Sequence, residues 1–162
     1  MAIEGCTATT VSKCQSCQDA FAGAMLIGLL ETTVALAPAT IPEHHPYKAN
    51  LDLELATALF NVGKRAGDTH LEAEAEMILR SSAKVLSARG SEFQLMRVMR
   101  RLGDMYIVQN KYKNAIQSLE AALQLCHKSS SSWQTHLRLV QALLRDGQLD
   151  EAERRCCEVI SM

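Results

Sequence analysis

Laid against itself at an offset of 37 residues, the chain matches Leu102 to Leu139, Tyr106 to Leu143, Asn110 to Gly147, Ala115 to Ala152, Leu119 to Cys156 and Ala122 to Val159. A repeat of this length means stacked supersecondary units, each too small to bury its own apolar face. Such a unit pairs two antiparallel helices, buries a small alanine where they cross and offers a large residue one turn later to its neighbour. A weaker copy lies upstream, with Gly67 at its turn and Ala75, Leu79 and Ser82 in its second helix, and needs a turn two or three residues longer. The fold must therefore close by repetition.

The apolar periodicity supplies the helices. Spacings of three and four mark Tyr47 to Ala66, Leu71 to Ala88, Glu92 to Val108, Tyr112 to Leu125, Trp133 to Leu144 and Leu149 to Ile160. Gly67-Asp68, Arg89-Gly90, Gln109-Asn110 and Asp146-Gly147 stop them. Ser16 with Asp19 opens a further helix to about Ala37, ended by Pro38 and Pro42. That helix is apolar nearly all round, so it is expected to lie buried against the next pair. Abundant Ala and Leu, with 3 prolines, 8 glycines and 4% aromatics, favour packed helices over a β-sandwich.

In order, Leu102-Gly103-x-x-Tyr106, Asn110-Lys111-Tyr112-Lys113-Asn114-Ala115, Leu119 and Ala122 resemble the tetratricopeptide repeat, and Gly147-Gln148-Leu149-Asp150-Glu151-Ala152 resembles the same turn. The last repeat departs from the pattern, with Val140 at the usual glycine and Cys156 at the usual large residue. The longer first unit is similar to the repeats of kinesin light chains. The resemblance implies an all-α, right-handed α-solenoid of antiparallel helix pairs, about three repeats plus an extra N-terminal helix. The expected organisation is a flexible tail at 1–16 and one helical repeat domain at 17–162. Within it lie the extra helix at 17–37 and repeats at 46–88, 91–127 and 132–162.

Candidate chemistry is sparse. Cys14-x-x-Cys17 has the spacing of half a zinc site, to be completed by Cys6 or by His44 and His45, and incidental cysteines in a polar tail are the plainer reading. His44-His45 sits beside Glu43 in a connector between Pro42 and Pro46. Ser129 to Ser132, with His127 and His136, lacks the strand-to-helix elbow of a serine nucleophile. No glycine run has a phosphate-binding order. The expectation is no enzyme, no cofactor and no metal. Met96, Met99 and Met105, at helical spacing, are expected in the core, with an adaptable groove as the alternative.

The longest apolar run, Ala20 to Leu30, is 11 residues, well short of the ~20 that span a bilayer. Six cysteines in a chain that can bury a core read as reduced thiols, which implies a cytoplasmic setting. Adjacent Cys156 and Cys157 point about 100° apart on a helix and cannot readily bridge to one another. A formal charge of −1 gives no overall pull toward nucleic acid or membrane.

The family architecture turns the first helix of each repeat toward a concave face. Carried over helix by helix, it implies Glu54, Thr57, Asn61, Lys64 and Arg65, then Arg97, Arg100 and Asp104, then Gln134, Gln141 and Arg145 as groove residues. Five are basic and two acidic, a balance of +3, so the expected ligand is an acidic segment of a protein partner. The carboxylate clamp of the family's chaperone-type members is disfavoured: Asn61 and Arg138 match two of its places, but Thr57, Arg101 and Gln134 do not match the others. The reading is a non-catalytic interaction module or scaffold. The alternative is a regulatory or substrate-docking part of a larger enzyme, since the chain stops at Met162 without a polar capping helix. Self-association through that uncapped last helix is a further expectation.

Overall fold

The computed structural model describes residues 23–29, 31–32, 46–126 and 132–160. The tail at 1–16, with Cys6 and Cys14, lies outside the described residues, as do Cys17, His44, His45, His127 and Ser129. Helices run over Pro46–Ala66 (α1), Thr69–Arg89 (α2), Glu92–Val108 (α3), Tyr112–Gln124 (α4), Ser132–Asp146 (α5) and Leu149–Ile160 (α6). No strand occurs among the described residues. The chain divides into two compact units, Met1–Ala75 and Glu76–Met162, with the division inside α2.

In the first unit, α1 buries two stripes. Of the stripe that the spacing predicts, Leu51, Leu55, Ala58, Leu59 and Val62, the middle three are buried and the two ends half-buried, and a second runs through Ala49, Leu53, Ala56 and Phe60 at spacings of four and three. Residues 23–29 and 31–32 are helical, as expected of the extra helix. Its burial differs from expectation: Met25, Leu26 and Leu29 are at least half exposed. The reason is a narrow contact, because a Cβ on Gly23 would lie 2.7 Å from Val62 Cγ2, and only one side of an all-apolar helix can press that closely. Asp68 accepts a hydrogen bond from the His70 backbone N–H at 2.8 Å and so caps the start of α2.

The second unit shows the repeat directly. Here α3 packs on α4 and α5, α4 on α5, and α5 on α6. Asn110 and Gly147, 37 residues apart in sequence, both take left-handed backbone, with φ of 60° and 83°. The bonds around them repeat as well: Lys111 N–H donates to Tyr106 C=O at 2.9 Å, and Gln148 N–H to Leu143 C=O at 3.0 Å. Asparagine is the side chain best tolerated at such a position after glycine, which is why the two turns are equivalent. At the crossing of α3 and α4, a Cβ on Gly103 would lie 2.5 Å from Leu119 Cγ, and Ala115 is fully buried. Met96 and Met105 are core residues as expected, while Met99 is half-buried. The last helix is one-sided: α6 buries only Ala152. It is tied back by Arg155, which reaches Glu120 on α4 at 3.6 Å and Glu151 and Glu158 on its own helix.

A polar network links the C-terminal part of α2 to α3. The Tyr106 hydroxyl donates to Glu76 Oε1 at 2.9 Å and accepts from Arg80 Nε at 3.0 Å. Lys111 Nζ reaches Glu76 Oε2 at 3.2 Å. Burial pushes the Glu76 carboxyl up, but hydrogen bonds from Tyr106 and Lys111, with the charges of Lys111 and Arg80, hold it below the ordinary value. A lowered folded-state value means stability present above the unfolded value, about 4.3, and lost as pH falls through the folded one. The Glu76→Gln variant should therefore lose stability less steeply than the wild-type protein on acidification below that value, a difference that urea melts across pH will read. Equal slopes would contradict this account of the network.

Candidate functional site

In the second unit, a concavity of about 420 Å³ is lined by Arg100 and Asp104 of α3 and by Trp133, Gln134, Leu137, Arg138 and Gln141 of α5. The local helical pattern explains this set. Arg100 and Asp104 are one turn apart on α3, and Trp133, Leu137 and Gln141 form an i, i+4, i+8 row on α5, with Gln134 and Arg138 beside it. The opposite face of α5 carries Thr135, His136, Leu139, Val140, Ala142 and Leu143 into the core, so the row left over looks outward. Trp133 and Leu137 are each 49% exposed, an unusual position for large apolar side chains.

The charges here are organised around Asp104. Arg138 Nε lies 3.2 Å from Asp104 Oδ1, and Arg138 Nη1 donates to Gln141 Oε1 at 3.1 Å. Although this ion pair is close, Oδ1 is buried without an aligned hydrogen-bond donor, so the contact is mainly electrostatic. Burial pushes the Asp104 carboxyl up, and Arg138, Arg101 and Arg100 pull it back only part of the way, leaving it above the ordinary aspartate value. Arg101 also has its Nε buried without a partner. Two arginines against one aspartate leave the concavity with one surplus positive charge.

Of the residues expected in a groove, Arg100, Asp104, Gln134 and Gln141 line this concavity together. Arg97 and Arg145 belong to the same unit but do not line it. Arg97 and Arg100, expected to be exposed, are half-buried instead, because α3 is covered on two sides by α4 and α5. Asn61, Lys64 and Arg65 stand exposed at the end of α1 in the first unit. Glu54 on the same helix is exposed and Thr57 half-buried, the Thr57 hydroxyl donating to Leu53 C=O at 2.7 Å. Trp133 and Leu137 are lining residues that the expected groove omits, and Arg138, matched only to a place of the disfavoured carboxylate clamp, lines it too. Their signal was present in the spacing, since a tryptophan, a leucine and a glutamine at intervals of four fall off the core stripe.

A second concavity of about 300 Å³ in this unit is lined by Arg80, Met99, Leu102, Tyr106, Asn114 and Gln117, among others. Among the described residues, no group of three or more His, Cys, Asp or Glu side chains gathers as a metal site. Cys156 and Cys157 are free thiols, and no described helix is long and apolar enough to cross a membrane.

The helix pairing defines the class of fold. Two crystal structures of nearly identical TPR-like repeats, assigned to a putative kinesin light chain of Podosopora anserina and one of them a point variant, match with a TM-score of 0.70 and 21% sequence identity. Each match covers 86% of this chain, which spans 66% of theirs, just under two thirds. The fold is thus an all-α helical repeat of TPR-like type, as the tetratricopeptide resemblance implied. No family model matches the sequence, and no curated protein does.

Proposed function

We propose that the protein is a non-catalytic interaction module whose α3 and α5 concavity holds an acidic peptide segment of a protein partner. The observation that carries this reading is the gathering of Arg100 and Arg138 with the exposed Trp133 and Leu137 in one depression. Arginine pairs bidentately with carboxylates, and an exposed tryptophan beside it offers apolar contact at low entropic cost. The chain-wide charge of −1 makes this local positive surplus a steering feature for acidic partners. Free thiols at Cys156 and Cys157 fit the reducing interior of the cytoplasm.

The reading is tested with an immobilised peptide array in which every member carries glutamates, beside a matched array with glutamine at the same positions. The full chain should be retained by glutamate-bearing members, with retention falling as salt rises. Equal retention on both arrays would reject the acidic ligand.

A further inference from the structure

We propose that Asp104 is an internal competitor for the acidic ligand: its carboxylate stands against the Nε edge of Arg138, and a partner gains the full charge of that arginine by displacing Asp104. This rests on the acidic-peptide reading above and adds to it a residue that sets how acidic a segment must be. A guanidinium offers a carboxylate two bidentate edges, Nε with Nη2 and Nη1 with Nη2. On Arg138 each edge has one nitrogen already met by a neighbour, Nε by the Asp104 carboxylate in an ion pair at 3.2 Å and Nη1 by Gln141 in a hydrogen bond at 3.1 Å. An incoming carboxylate can fork the Nε edge only in place of Asp104, and one that takes the Nη1–Nη2 edge, where Nη1 keeps a second N–H, still meets the Asp104 charge beside it. Yet the arginine is half exposed, with its side chain 53% accessible, so it is reachable from solvent, while Asp104 lies deeper at 27%.

The pair joins α3 to α5 across the concavity, which places the competing carboxylate among the lining residues themselves. Asp104 Oδ1 lacks an aligned donor, so the contact holding Arg138 is one that a better-aligned ligand carboxylate can replace. Burial already disfavours the ionised Asp104 carboxyl. A segment with a single acidic side chain is served by Arg100 alone, whereas one with two must outcompete Asp104. The internal carboxylate thus selects for multiply acidic partners, a use of repulsion for specificity.

The test is a double-mutant cycle on the full chain, with a fluorescein-labelled glutamate-bearing peptide from the array as probe and anisotropy as readout. Asp104→Asn should bind about 1.5-fold to fivefold tighter, the range set by removing one partly exposed charge pair. Arg138→Gln should bind more weakly than wild type, and Asp104→Asn should add little in that background. A melt of each variant checks the fold, and Asp104→Ser serves if the asparagine variant melts early. No tightening, or a full gain that persists with Arg138→Gln, overturns the inference while leaving the acidic-peptide reading intact. If neither wild type nor Asp104→Asn prefers glutamate to glutamine peptides, the reading itself fails and the inference falls with it.

Discussion

Replacing Ala115 with tryptophan lowers the unfolding free energy by at least ~3 kcal/mol, beyond the ~1–3 kcal/mol of ordinary overpacking. Ala115 is fully buried on α4, the helix that packs against α3 and α5. One turn along, Leu119 already lies so close to Gly103 that a single added methyl would overlap it. An indole at Ala115 has no space to enter without parting helices that every neighbouring contact holds together. The same change at Ala152, the repeat equivalent, costs less, because α6 is covered on one side only. Urea and thermal melts of the two variants read the difference. An unchanged melting temperature for the Ala115 variant would mean that the repeat frame is misplaced.

Reversing Arg97 and Arg100 to glutamate together weakens binding of an acidic peptide by at least ~2 kcal/mol, the scale expected for desolvated charge pairs. Most of that effect belongs to Arg100, which lines the concavity, while Arg97 contributes through the field around it. Both side chains are half-buried without being part of the core, so the melt should change little. A loss below ~0.5 kcal/mol is what solvated surface arginines would give. If binding were lost instead on changing Val159 or Ile160, the contact surface would be the last helix, where Ile160 is 85% exposed.

The repeat was legible because it is written in small residues. Ala115 and Ala152 mark crossings and Asn110 and Gly147 mark turns, and each is forced by backbone proximity or a left-handed φ that few residues accept. Helix faces were legible in part: Met96, Leu102, Met105 and Tyr106 of α3 and Ala115, Leu119 and Ala122 of α4 are buried at the spacings the sequence shows, whereas Val98 joins the α3 core off that stripe and α1 hides a second stripe through Leu53 and Phe60. Periodicity reports that a face is apolar, and the number of neighbours covering the helix is a tertiary fact. The same limit hid the site. Arg100, Asp104, Gln134 and Gln141 follow from the position of first helices in a repeat, but Trp133 and Leu137 read as core by residue type. Asp104 and Arg138 lie 34 positions apart, and the link from Glu76 to Tyr106 spans 30, so no local pattern announces either pair.

The most direct measurement uses the single tryptophan of the chain, which lines the proposed site and is 49% exposed. Titration of the full protein with a glutamate-bearing peptide, following Trp133 emission beside the anisotropy of the labelled peptide, reports binding and its location together. The account predicts a saturable change in Trp133 emission that tracks the anisotropy and is abolished when Arg100 is reversed to glutamate. A peptide that binds by anisotropy while Trp133 emission stays constant would contradict it and place the acidic ligand elsewhere on the protein.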